Sequence, residues 1–463
     1  MTEPGAPSGA AEPPHATPGP YTVLRNRDFV FYLVGRFVAA LGQQMLTLAV
    51  GWELYRRTNS ALALGMVGLT QMMPMILFVL VAGHVADNFN RKRIILVTTS
   101  VIACASVGLS LISALGAPVF WIYFCLFAAG SARTFLWPAS SAFLPRLVPR
   151  ELFSKAVTWN SGSFQLSSVA GPAAGGAVIA LTGRAWPVYA LNAAAALVCL
   201  VLIGFVRRDH IVAVKEWMTG RSLVAGFKFV FASPIILGTI TLDLFAVLLG
   251  GATALLPVYA SDILHIRPGD LGFLQWVLPV AGLTQERLNA ICLGFLEAAL
   301  PLGSLLCALI LAHRSPLQKA GRTLLQAVAI FGVATVIFGY SHWFWLSFLM
   351  LFLCGAMDNI SIVVRHTLVQ LLTPDEKRGR VAAANSLFIG TSNELGGFES
   401  GVVAHLAGPV FSVVSGGVGT ILVVAAVALI WPEIRKFGRL DAPWLTQGGA
   451  GEPTTIVHGP PYP

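Results

Sequence analysis

Residues 62–82 contain no charged side chain, and neither do residues 94–132. A helix rises about 1.5 Å per residue and needs roughly 20 apolar residues to span a bilayer, so the first run is one crossing and the second is two. Between them lies Gly83-His84-Val85-Ala86-Asp87-Asn88-Phe89-Asn90-Arg91-Lys92-Arg93. This stretch reads as a tight turn at a membrane face. Gly83 lets two helices approach, Asp87 is placed to meet a helix N-terminus, and Arg91, Lys92 and Arg93 mark the cytoplasmic side.

The same segmentation runs through the chain. Crossings are expected at about 29–51, 62–82, 94–114, 119–140, 157–181 and 186–206, then at about 235–258, 291–312, 323–340, 343–364, 381–405 and 409–431. The polar stretch 207–233 divides the two sets. The expected fold is therefore an all-α polytopic membrane protein with twelve transmembrane helices in two six-helix halves, 21–206 and 234–435. Residues 1–20 and 436–463 read as disordered tails. One region breaks the pattern: Leu271-Gly272-Phe273-Leu274 recurs as Leu293-Gly294-Phe295-Leu296, which suggests an insertion at 275–292. Its charged triplet region, Gln285-Glu286-Arg287, places Arg267 to Asn289 outside the eighth crossing, as a re-entrant segment.

Composition excludes a soluble globular chain: 56% of residues are hydrophobic, 11% are charged and the mean hydropathy is +0.75. The net charge of +9 would suggest a nucleic-acid partner in a soluble domain. Position decides otherwise, since 23 of the 30 Lys and Arg residues fall on one expected face of the membrane, including Arg365. That is the positive-inside bias, and it puts both termini in the cytoplasm. The six cysteines form no C-x-x-C pair and read as small core residues. No metal ligand spacing, cofactor motif, catalytic triad or phosphate loop is present, so neither an enzyme nor an ATP-driven pump is expected.

The motifs resemble a known group. Gly83-x-x-x-Asp87-x-x-x-Arg91-Lys92-Arg93 resembles the loop between helices two and three of the major facilitator superfamily. Gly171-Pro172-x-x-Gly175-Gly176 is similar to the helix-five motif of that superfamily's antiporters, where proline removes a donor and glycines allow close packing. Ser222-Leu223-Val224-Ala225-Gly226-Phe227-Lys228-Phe229 and Thr367-Leu368-Val369-Gln370 look like the enterobactin-exporter-like group, also described as transmembrane secretion effectors. The resemblance covers about residues 21–435. It implies a proton-driven exporter of the bacterial inner membrane for siderophores or other small amphipathic compounds. It also implies that Asp87 clamps the cytoplasmic ends of the halves against the start of helix eleven, near Gly379 to Ala382. His313-Arg314-Ser315-Pro316-Leu317 departs from the pattern, lacking the Gly-x-x-x-Asp half of the signature that a symmetric second clamp would need.

Ionisable residues inside crossings are costly in lipid and are expected to face a cavity or a partner. They are Arg36, Arg133, Asp243, Asp358, Glu394 and Glu399. Asp243, Asp358 and Glu394 are the candidates for proton coupling or substrate contact, with Asn359 and Asn393 beside two of them. The alternative for each acid is a permanent ion pair. For Asp358 that partner would be Arg365, seven residues on along the same face. Arg133 is expected to hold a partner acid, and Arg36 to bind either an acid or an anionic substrate. The expected function is a monomeric secondary transporter exchanging a small-molecule substrate for protons, in contact with membrane lipid and with no nucleic acid. An importer or facilitator of the same fold and a non-transporting membrane sensor or assembly subunit are the rivals.

Overall fold

The computed structural model describes residues 19, 21–207, 228–265, 284–313 and 319–438; the side chains of Leu80, Asp87, 375–380, 382–384, Ser386 and Lys436 are outside that description. Twelve long helices dominate the described residues: α1 (Arg27–Thr58), α2 (Ala61–Asn88), α3 (Arg91–Leu115), α4 (Phe120–Leu147), α5 (Phe153–Thr182), α6 (Trp186–Gly204), α7 (Pro234–Leu249), α8 (Gln285–Ala312), α9 (Ala320–Tyr340), α10 (Phe344–Leu372), α11 (Asp375–Ala407) and α12 (Pro409–Ile430). Eleven helical stretches are long and apolar enough to cross a membrane. The remaining helix, α11, is 33 residues long. Asn393, Glu394, Glu399 and Ser400 lower its apolarity, and α2 packs against it.

Turns are set by residues that leave the helical region cheaply. Asn59, Gly116 and Gly183 end α1, α3 and α5 in the left-handed conformation, with φ of 46°, 66° and 68°. Asn26 and Asn90 cap the starts of α1 and α3 by accepting from backbone amides. The 83–93 stretch is therefore mostly helical. It reduces to Phe89 and the Asn90 cap between two helices.

The helices form a ring. The first half runs α2–α4–α3–α6–α1–α5 and the second α8–α10–α9–α12–α7–α11, with α5 against α8 and α2 against α11 closing the circle. Each position in one half is matched by the helix six places on in the other, the pattern of repeated transporter folds. Alternating chain direction puts the residues around Asn26, Asn88, Val206 and Phe437 at one end, here the terminal end, and those around Thr58, Gly183 and Ile263 at the far end. Cross-links agree: Lys92 Nζ donates to Gly204 O and Val206 O at 2.9 and 2.7 Å. Arg56 donates to Gly183 O at 3.1 Å.

The cores differ between the two ends. At the far end one cluster joins both halves, with Met45, Leu48 and Tyr189 beside Leu256, Tyr259, Ile291 and Leu296. Toward the terminal end the first half has its own cluster around Phe29, Ile95 and Phe143. The second half has separate clusters around Leu324 and Val364 and around Ile240 and Val369. Among the described residues, the buried apolar cluster that both halves share lies at the far end.

Two stretches differ in detail from the sequence expectation. The seventh crossing is not one helix: after α7 it continues as a 3-10 turn at Gly251–Leu255, a short helical turn at Leu256–Val258 and a π turn at Tyr259–Ile263. A Cβ on Gly251 would lie 2.4 Å from Gly396 O, so the break lets α11 approach the backbone directly. Helix α8 begins at Gln285, so Gln285 to Cys292 are helical, while residues 275–283 of the expected insertion lie outside the described residues.

Candidate functional site

The interior ionisable residues fall into three groups. Asp243 on α7 and Arg365 on α10 form an ion pair, and they are 6% and 3% exposed. Arg365 is thus a buried helix residue and not a face residue, and its partner is Asp243, not Asp358. The reason is packing. Helices α7 and α10 touch, so a residue on the neighbouring helix competes with the one two turns away on the same helix. Arg365 Nε and Asn359 Oδ1 are both buried without a hydrogen-bond partner among the described residues. Unsatisfied buried groups of this kind invite water or a ligand.

The second group crosses between the halves. Arg133 on α4 donates to Gln71 Oε1 on α2. Its charge also acts on Glu394 of α11. Glu394 is held close by Gly68 of α2, where a Cβ would come within 2.3 Å of Glu394 O. The direct partner of Arg133 is thus Gln71, and Glu394 lies within the influence of its charge without forming an ion pair among the described residues. Gln71, in the same set, carries no charge and gives no signal in a sequence search for ions.

The third group lacks a cation. Asp358 on α10 lies near the Cys354 thiol, which itself contacts Thr335 Oγ1 and Phe331 O at 3.7 Å each. Glu297 on α8 is half-buried and makes no ion pair or hydrogen bond among the described residues. Sequence reasoning passes over Glu297 because Gln285, Glu286 and Arg287 dominate that region. Its signal is a lone acid in the middle of the run 288–312.

The other candidates stand apart. Arg36 on α1 reaches the Tyr32 hydroxyl and lies near Cys199 of α6, with no carboxylate partner among the described residues. Asn393 is exposed and donates from Nδ2 to Ile389 O at 2.8 Å. Glu399 Oε2 accepts from Ser400 Oγ at 3.4 Å. In the gate motif, Arg91 Nε donates to Ala86 O at 3.3 Å and Lys92 ties α3 to the end of α6, within one half. The Asp87 side chain and its expected contact at Gly379 to Ala382 lie outside the described side chains, apart from Val381, which is buried.

The glycine motif of α5 faces two partners. A Cβ on Gly171 would meet Gln44 Cβ at 2.5 Å and one on Gly175 would meet Met45 Cα at 3.1 Å, both on α1. One on Gly176 would meet Ala290 O at 2.6 Å and Gly294 Cα at 3.2 Å, on α8 of the other half. Pro172 sits in the unbroken α5 with its carbonyl against Gly294. The motif therefore sits on both the first half's interior and the line where the halves meet.

That line is tied at the far end. Tyr55 of α1 donates to Asp262, Arg56 pairs with Glu286 at 3.0 Å, and Gln165 Nε2 donates to Pro301 O at 3.3 Å nearer the middle. Among the described residues no group of three or more His, Cys, Asp or Glu is placed to hold a metal ion.

The fold is also that of known transporters. It is similar to a bacterial homologue of the human lysosomal transporter Spinster in an inward-facing, unoccupied conformation, with a TM-score of 0.66 at 13% identity over 89% of this chain and 98% of that one. It is likewise similar to the nucleoside transporter NupG, with a TM-score of 0.61 at 13% identity over 89% and 99%. By sequence, the enterobactin exporter EntS of Escherichia coli O6:K15:H31 (strain 536 / UPEC) is 26% identical over 90% of this chain and 94% of its own length. The same protein from E. coli strain SMS-3-5 / SECEC is 26% identical over 89% and 94%. These are membrane transporters and not enzymes. With the transmembrane secretion effector model matching residues 18–443, the chain belongs to that family of major facilitator transporters.

Proposed function

We propose that this transporter exports a small amphipathic molecule, siderophore-like or drug-like, against proton entry, by alternating access across the bacterial inner membrane with both termini cytoplasmic. The carrying observation is the asymmetry of the cores. Two halves that share apolar burial at the far end and keep separate cores at the terminal end are arranged to rock about a central site. Interior carboxylates then supply groups whose protonation can alternate with solvent access. The enterobactin exporters among the relatives favour a siderophore-like cargo and the outward direction.

The test is solute-dependent proton movement in proteoliposomes, with iron-free enterobactin and a panel of hydrophobic drugs, comparing wild type with Asp243→Asn, Asp358→Asn and Glu394→Gln. The expected result is proton flux triggered by one compound and lost in at least one variant. Correctly folded wild-type protein that moves no compound with protons would overturn the reading.

A further inference from the structure

We propose that Glu297 is a proton-binding residue of the transporter interior, loaded from the central cavity and shielded by the seam between α5 and α8. Its link to transport rests on the proton-coupled reading above; its protonation does not.

The position follows from the lipid-facing side of α8 and from its contacts with α5 and α10. On α8, Leu306, Leu309 and Ile310 are 47%, 53% and 48% exposed and mark the lipid side. At about 100° per residue Glu297 falls on the opposite side of the helix, toward the interior. Along the seam, Gly294 packs against Pro172 O and Gly176 one turn toward the far end, and Pro301 O accepts from Gln165 one turn toward the terminal end. Glu297 lies between these two contacts, at the level of Val169 and Pro172 on α5. Toward α10, Ser304 Oγ donates to Gly355 O at 2.8 Å and Gly303 abuts Phe352 O. For antiparallel helices this register puts Glu297 level with Asp358, to within a turn.

Among the described residues no neighbour supplies a compensating cation. The α5 stripe facing α8 is Gln165, Val169, Pro172 and Gly176, none of which titrates. Helix α10 contributes Asp358, while Arg365 is committed to Asp243. From α1 the nearest charge in contact with α8 is Arg56, which pairs with Glu286 at the far end. The turn after α7 brings Asp262, bound to Tyr55, and Tyr259, whose hydroxyl donates to Gly339 O at 3.0 Å. A carboxylate without a cation in a low-dielectric interior is stable there as the neutral acid, and is charged when water reaches it. Opening and closing the seam changes that access. The step is simple: the carboxylate takes a proton from water while the interior is open to one side, holds it while enclosed, and returns it to water when the interior opens on the other side.

The test uses full-length purified protein in proteoliposomes and dicyclohexylcarbodiimide, which adds to protonated carboxyl groups in apolar surroundings and leaves an N-acylurea mass tag. The expected adduct is on Glu297 in preference to Glu394, and its rate falls about tenfold for each pH unit above the Glu297 midpoint. Glu297→Gln, which mimics the protonated form, is expected to lose gradient-driven accumulation of iron-free enterobactin while keeping enterobactin–enterobactin exchange. Absence of a pH-dependent adduct at Glu297, or labelling of Glu394 in its place, overturns the proposal. So does a Glu297→Gln protein with undiminished gradient-driven transport. Wild type that labels at Glu297 but moves no enterobactin would overturn the cargo and leave the proton site standing.

Discussion

The two lines along which the halves meet are built alike and charged differently. Along α2–α11, Gly65 packs against Gly401 and Gly68 against Glu394 O; along α5–α8, Gly176 packs against Ala290 O and Gly294. Both are lines of small residues, which bring helix backbones close without side chains to interlock, and so permit one half to move against the other. Each holds a glutamate toward the middle of its second-half helix, Glu394 on α11 and Glu297 on α8. Glu394 feels the charge of Arg133, which donates to Gln71 in the first half, whereas Glu297 makes no ion pair among the described residues. An acid paired across the line adds to closure in every protonation state that keeps its charge. An unpaired acid makes closure depend on the proton. The difference sets a charge opposite the acid at the middle of one line against the proton site proposed on the other, whose own electrostatic tie, Arg56–Glu286, lies at the far end.

The largest expected effect tests the α2–α11 line. Arg133→Leu removes the donor to Gln71 Oε1 and the cation that acts on Glu394, and is expected to destabilise the protein by about 3 kcal/mol, the upper range for leaving the polar partners of a charged group unsatisfied. Glu297→Gln removes an uncompensated charge and is expected to leave the melting temperature unchanged or raise it. Thermal unfolding in detergent checks both, and equal losses in the two variants would erase the distinction between the lines.

A smaller effect is expected from the glycines. Gly176→Ala inserts a methyl group where Ala290 O lies 2.6 Å from the ideal Cβ, and Gly68→Ala does the same at 2.3 Å from Glu394 O. Overpacking of this kind costs about 1–3 kcal/mol. Because both sites lie between halves and not within one, the penalty should fall on the state closed at the far end. Cysteine accessibility from the far side should rise in both variants; Gly171→Ala, inside the first half, should lower stability without changing accessibility.

The smallest effect concerns the far-end pair Arg56–Glu286, whose side chains are 46% and 61% exposed. Such pairs contribute about 0.2–1 kcal/mol and weaken with salt. Glu286→Gln is expected to raise far-side accessibility slightly at low ionic strength and not at high. An effect that persists in high salt would mean that the tie is not electrostatic.

The residues differ in how far the sequence revealed them. Charge-free runs such as 62–82 and 94–132 announce crossings because a bilayer tolerates neither charges nor open backbone. Arg133 could be read as needing a partner because an unpaired cation in lipid is costly, and in the structure it donates to Gln71 with its charge acting on Glu394. Which acid pairs with which cation was not legible. Asp358 and Arg365 share a face of α10, yet Arg365 pairs with Asp243 on the adjacent helix. Glu297 was present as a lone acid, but only the helix register placed it in the seam beside Gly294 and Pro301. The glycines of 171–176 signalled close packing without saying that Gly171 serves α1 and Gly176 serves the other half.

By itself the sequence determined the membrane, the number and alternation of the helices and the positions of the turns, because these depend on local length, hydropathy and capping. Only the tertiary structure decided the pairing of Asp243 with Arg365, the bond of Arg133 to Gln71, the lack of an ion pair at Glu297 among the described residues and the end at which the halves share a core. Those depend on which helix faces are opposed at a given depth. Opposition across a ring of helices is a property of packing that no single segment encodes.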